Sequence, residues 1–160
     1  MAKGAHIIVS SQPMGKRKEG IVSGTPSPGT LMQISAGVEA VGGRFTWEVY
    51  APGTDGEQRL IAVLLPDEMQ GKLSTDAYVS GDRCFLYCPI PGEQLNMLVS
   101  ASGTGTGDAQ AIGDLYIADT GTGLLVATTG SPESEPFQCL ETTSDVVAGG
   151  SLVHCQFTGY

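Results

Sequence analysis

The sequence predicts a mainly β protein: a compact β-barrel or β-sandwich of roughly eight to ten short strands, with an extended N-terminal arm and at most one short helix. Three observations carry this. Apolar residues occur as short alternating or continuous runs and do not recur at helical spacing. Glycine supplies 23 of the 160 residues and gathers with Pro, Ser, Thr and Asp between those runs, so that a turn signal returns roughly every ten residues. The chain is 41% hydrophobic but only 6% aromatic and 16% charged, enough apolar material for one core in a turn-dense chain.

Residues 1–19 read as an extended basic arm and residues 20–160 as a β-rich domain. In the arm, HIIVS can add one strand through Ile7, Ile8 and Val9, whereas SQPMGKRKE has little to bury. Lys3, Lys16, Arg17 and Lys18 stand in the first 20 residues beside a single acid, Glu19. From Gly20 the pattern changes. GIVSGTPSPGTLMQIS holds a Pro/Gly turn followed by Leu31 and Gln33 alternating with Met32 and Ile34. GGRFTWEVYAPG alternates Phe45, Trp47 and Val49 against Arg44, Thr46, Glu48 and Tyr50, a half-buried strand. EQRLIAVLLPD is a continuous apolar run closed by proline, the pattern of a strand buried on both faces. PDEMQGKLSTDAYVSGD is the one stretch where a helical turn is plausible, and Gly71 keeps it short.

Gly-Asp then opens an apolar run twice, at Gly81-Asp82 before RCFLYC and at Gly113-Asp114 before LYIA. Glycine permits the bend, and aspartate accepts hydrogen bonds from nearby backbone N–H groups, so both pairs read as structural turns that need no catalytic role. IAD-TGTG-LLVA is a hairpin signal. FQCLETT, VVAGG and SLVHCQFTGY close the chain, the last alternating Val153, Cys155 and Phe157 with Leu152, His154 and Gln156.

The chemistry-bearing residues are sparse. Cys84 and Cys88 share one face of a strand but stand about 13 Å apart, beyond the ~7 Å between Cα atoms that a disulfide spans. Zinc needs further ligands, and only His6 and His154 exist, far off in sequence. Cys139 and Cys155 lie in separate strands and could pair, but the apolar stretch at the N-terminus is too short for an export signal, which favours reduced thiols. GTGTG at 103–107 lacks the Gly-Lys-Ser/Thr and the helix that a phosphate loop requires. No nucleophile elbow, cofactor fingerprint or metal-ligand spacing occurs, so catalytic, metal and cofactor residues are assigned to none. Net charge is −9, and no Lys or Arg follows Arg83 although eight acids do. That half of the chain offers no cationic face to a phosphate backbone, so no nucleic acid is expected as a partner. No apolar run approaches the ~20 residues of a membrane helix, so no membrane is expected either.

The order of the pieces resembles the head decoration, or capsid cement, proteins of tailed bacteriophages. The resemblance covers about residues 20–160 and is carried by GIVSGTPSPGTLMQIS, LIAVLLPDEMQGKLSTDAYVSGDRCFLY, AIGDLYIADTGTGLLVA and ETTSDVVAGGSLVHCQF. Tyr78, Gly81 and Asp82 fill its first Gly-Asp site, Gly113 and Asp114 the second with Leu115 one place early, and Gly149 and Gly150 the linker into the last strand. The four cysteines, the SPESEP stretch and the length of the arm depart from the pattern. The resemblance implies a non-enzymatic virion protein, made in the host cytoplasm and carried on the outer capsid surface. It would bind the expanded shell, cement neighbouring major capsid subunits, and associate with itself as a homotrimer or a dimer. The arm would contact the capsid through Ile7, Ile8 and Val9 as an added strand, with Lys16, Arg17 and Lys18 as electrostatic anchor. Another phage structural module, of fibre or tail, is the alternative; a small β-barrel enzyme with an acidic site is a third reading.

Overall fold

The computed structural model describes residues 7–9, 15–35, 44–51, 61–101, 110–119, 121–128, 137–143, 146 and 150–159. Among the described residues there are ten strands: β1 (Lys16–Val22), β2 (Leu31–Ile34), β3 (Phe45–Val49), β4 (Ile61–Leu65), β5 (Arg83–Cys88), β6 (Gln94–Val99), β7 (Leu115–Ala118), β8 (Leu125–Thr128), β9 (Phe137–Cys139) and β10 (Ser151–Phe157). Among the described residues the one helical element is a 3-10 turn at Glu68–Gln70, capped by Asp67 and ended by Gly71 in the left-handed region.

The strands close into two five-stranded barrels, β1-β3-β2-β4-β5 and β6-β8-β7-β9-β10. Each contains one parallel pair, β1 with β3 and β6 with β8, and is otherwise antiparallel. The second barrel therefore repeats the first in order and direction, and it does so in register. The Ser23 N–H donates to the Trp47 carbonyl at 2.7 Å, and the Ser100 N–H to Leu125 at 2.8 Å. Gly29 and Leu64 exchange bonds with each other's strand through Leu64 O and Thr30 O; Gly113 and Cys139 do the same through Cys139 O and Asp114 O. Following the ladders assigns counterparts: Lys18 to Leu95, Val22 to Val99, Leu31 to Leu115, Trp47 to Leu125, Leu64 to Cys139 and Leu86 to Cys155.

Inside the first barrel sit Val22, Met32, Trp47, Ala62, Leu64, Cys84 and Leu86, with Tyr78 supplied by the β4–β5 connection. β4 is buried along its whole length, because its other face, Ile61, Val63 and Leu65, joins Leu31 and Tyr87 in a larger core shared with the second barrel. Two main-chain bonds stitch the barrels: Leu98 N–H to Gly29 O at 3.1 Å, and Leu31 N–H to Gly123 O at 2.9 Å. Gly29 has φ +90, and a Cβ there would stand 3.2 Å from the Leu98 nitrogen and 3.1 Å from a Leu152 methyl. Only glycine allows that approach in that conformation.

The Gly-Asp pairs open their strands by one device. In each, the N–H of the fourth turn residue bonds the first carbonyl, and its carboxylate accepts the first N–H. Asp82 does this with Val79 (2.9 and 2.9 Å) and Asp114 with Ala111 (3.1 and 2.7 Å). Gly81 and Gly113 between them have φ +96 and +99, where a side chain is strained. The Val79 N–H, and then Lys72, hold the Asp82 carboxyl below the usual range. Glu93 makes the same turn with Ile90 around Gly92. It does more: although a carboxylate, it is buried, and one oxygen accepts the Tyr87 hydroxyl (2.6 Å) and the Gly15 N–H (3.0 Å). Burial, then the Glu93 carboxylate, push the Tyr87 phenol up to about 12. This cluster ties the start of β1, the end of β5 and the turn before β6 together.

Position 19/20, where the sequence divides arm from body, falls inside β1, which is continuous from Lys16. Ile7 is buried in the shared core, and Ile8 pairs with Leu95 of β6.

Replacing Gly29 with Ala lowers stability by about 1–3 kcal/mol, since strain and contact act together. Gly71→Ala, at φ +71 but in open space, costs about 1 kcal/mol or less. Chemical denaturation of both variants tests the contrast, and equal losses would contradict the close barrel contact. Glu93→Gln and Tyr87→Phe each cost about 1–3 kcal/mol. Their combination costs clearly less than the sum, because they remove one cluster; a double-mutant cycle reads this directly.

Candidate functional site

Charge divides the chain between its two barrels. Residues 1–83 hold eight Lys/Arg and nine Asp/Glu, a net of −1; residues 84–160 hold none and eight, a net of −8. Every described cation, Lys16, Arg17, Lys18, Arg44, Lys72 and Arg83, thus belongs to the first barrel or its β4–β5 connection. Lys16, Arg17, Lys18 and Glu19 are all exposed, because this half of β1 pairs with β5 alone and projects past β3. Glu19 accepts Arg44 at 2.9 Å and lies 3.5 Å from Arg83. These surface pairs add little stability but fix the charge pattern. Lys72 donates to the Ala77 carbonyl at 3.0 Å, lies 3.4 Å from Asp82 and covers the Tyr78 ring at 5.7 Å. Met69, Leu73 and Val79 stand exposed on the same connection.

The buried polar groups are structural. The Tyr78 hydroxyl donates to the Leu65 carbonyl at 2.8 Å and that of Tyr116 to Gln110 at 2.9 Å; burial pushes both phenols up. Cys84 and Cys88 share the inner side of β5, as the alternation required. Burial pushes the Cys84 thiol up to about 12 and raises that of Cys88, which suppresses the nucleophilic thiolate. Cys139 and Cys155 face one another across β9 and β10, both buried and both free thiols. His154 lies half-buried on β10; its main-chain N–H donates to Glu141 at 2.6 Å. His6 lies outside the described residues. Among the described residues no group of three His, Cys, Asp or Glu is placed to hold a metal ion, and no helix is long and apolar enough to cross a membrane.

The assigned surface residues are therefore placed as follows. Lys16, Arg17 and Lys18 are brought together on β1. Ile7, Ile8 and Val9 lie against β6 instead, with Val9 N–H bonded to Gln94 O and Asn96 N–H to Ile7 O. Gly81, Asp82, Gly113 and Asp114 open β5 and β7, and Gly150, at φ +93, opens β10; Gly149 lies outside the described residues. Sequence reasoning did not single out Glu93, yet the signal was present: Pro-Gly-Glu at 91–93 repeats the Gly-Asp turn with a longer acid.

No family model matches the sequence, and no curated protein is similar to it in sequence. The fold is similar to a solved structure, that of the N base of head fiber gp8.5 in bacteriophage phi29. The two share a TM-score of 0.54 and 14% identity, over 91% of this chain and 95% of that one. The likeness covers most of both chains, and what it shows is the fold.

Proposed function

We propose that this chain is a structural protein of a phage virion that adheres to the outer surface of the head. The observation that carries the reading is the architectural match, nearly end to end on both chains, to the base module of a phage head fibre. The rest of the molecule agrees with adhesion. Its buried acids and phenols are used in turns and interstrand ties, and its accessible chemistry among the described residues is a cationic ribbon on the first barrel. The fibre likeness weighs toward the base of an appendage. Cementing of neighbouring major capsid subunits, with self-association as a trimer or dimer, uses the same adhesive surface. In either role Lys16, Arg17 and Lys18 form the electrostatic part of the capsid contact. Ile7–Val9 is paired to its own β6 and would have to be released before it could join a neighbour.

Mixing the purified protein with expanded, undecorated capsids and imaging by cryo-electron microscopy tests this. Saturable density at regular lattice positions is expected. Binding should weaken several-fold between about 0.05 and 0.2 M salt, as screening shortens the reach of the cationic ribbon. Shells that stay bare at saturating protein would overturn the reading.

A further inference from the structure

The register match between the barrels exposes a difference at one edge. In the second barrel, β8 reaches β6 only at Val99, which leaves Gln94–Asn96 without a β8 neighbour. Ile7–Val9 fills that gap as a short antiparallel strand: Ile8 pairs with Leu95, Val9 N–H bonds Gln94 O at 3.0 Å, and Asn96 N–H bonds Ile7 O at 2.7 Å. The counterparts of Gln94, Leu95 and Asn96 are Arg17, Lys18 and Glu19. There β3 reaches β1 only from Gly20 onward. Among the described residues no strand lies beside Arg17 and Lys18 on that side, and Arg44, just before β3, meets the Glu19 carboxylate at 2.9 Å. The main-chain alternation aims their groups outward: Ser23 N–H bonds β3, whereas Val22 N–H bonds Asp82 O on the β5 side. Odd-numbered residues of β1 thus present N–H and C=O to the β3 side; the Gly20–Phe45 pairing uses the Glu19 carbonyl there, and among the described residues the Arg17 carbonyl and the Glu19 N–H have no main-chain partner.

We propose that this edge is a strand-acceptor site for an extended acidic segment of another protein. The Arg17 carbonyl and the Glu19 N–H would take the bonds that Gln94 and Asn96 take within the chain. The geometry is the one already realised at Ile7–Val9. The side chains choose the occupant. In the second barrel the edge carries Leu95, fully buried under an Ile-Ile-Val segment; in the first it carries Lys16, Arg17 and Lys18, all exposed. An acidic strand places carboxylates opposite those cations, whereas a basic strand, or the same edge of a second copy, places like charges opposite each other. Lysine on an open edge deters such like pairing and leaves the acidic partner as the one accepted. This inference stands on the barrel registers and does not need the virion reading.

The test uses the full chain and a fluorescein-labelled short peptide of alternating Glu and Val, with its Lys/Val analogue as control. Anisotropy should show saturable binding of the Glu peptide and at least tenfold weaker binding of the Lys peptide. Amide exchange followed by NMR should show the Glu19 amide, unprotected alone, become protected on adding the Glu peptide, with the Asn96 amide protected throughout. Glu19→Pro removes the N–H that the site would use, leaves the three cations in place and keeps the β5 ladder intact. It should weaken binding about tenfold with the melting temperature little changed, and the Lys16→Glu, Lys18→Glu double variant should do likewise. Binding that survives Glu19→Pro, with the Glu19 amide of the unsubstituted chain left unprotected by the peptide, would reveal a charged patch only and overturn the strand site. Protection of that amide by concentration alone, without peptide, would show pairing between copies and overturn the acidic partner. Absence of Glu-peptide binding would overturn both.

Discussion

Closing five short strands into a barrel fixes how much side chain the interior accepts, and the rest of this molecule follows from meeting that limit twice with different residues. Where the first barrel pairs Met32 with Ala62, the second pairs Tyr116 with Phe137 at the equivalent positions. Where the first holds Trp47, the second holds Leu125. The indole has room because its neighbour on β1 is Gly20, where a Cβ would fall 2.3 Å from the Trp47 ring; the counterpart of Gly20 is Met97, which sits beside the smaller Leu125. Large and small exchange places while the interior stays filled, as close packing demands. So one hydrogen-bond pattern is filled by two different sets of side chains.

The outer faces of the two barrels are not equivalent. Val63, Leu65 and Tyr87 on the outside of β4 and β5 are covered in the shared core. Their counterparts in the second barrel are Gln138, Leu140 and Gln156, all half-exposed. On the opposing side the second barrel offers Leu98 and Leu152 to Gly29, whereas the first carries Ile21 and Arg83 there, beside Glu19 and Arg44.

The elements legible in the sequence are those whose evidence is local. The β4 run lacks alternation because both its faces are covered, and continuous apolarity says so. Alternation at Val153, Cys155 and Phe157 locates the inner face of β10. Gly81-Asp82 and Gly113-Asp114 mark turns because the bend and its hydrogen bond lie within four residues. The doubled Gly-Asp, however, does not mark the duplication. Asp82 precedes the fifth strand of one barrel and Asp114 the second strand of the other. The true counterpart of Asp114 is Thr30, in the turn around Gly29. Register between distant strands left no mark in composition or period, so two barrels read as one body. The start of β1 was missed for a related reason: Lys16–Glu19 are exposed on both faces, held by main-chain pairing to β5, and a strand without a buried side has no hydrophobic signature. Glu93 was passed over because a lone acid after Pro-Gly reads as surface until Tyr87 and Gly15 arrive from elsewhere in the chain.

The shared topology also gives the charge its setting. Two barrels of one strand order present the same edges, and each must be closed or guarded. The second barrel closes its β6 edge with Ile7–Val9, which needs an apolar counterpart, and Leu95 supplies it. The first barrel cannot use that segment again. An apolar β1 edge left open would template pairing between copies, and cations at Lys16, Arg17 and Lys18 prevent it. The same cations concentrate positive potential on one end of a molecule whose other half carries a net of −8. Any surface the protein meets is therefore sensed with a direction, and an acidic surface is drawn first to the end that carries Lys16, Arg17 and Lys18.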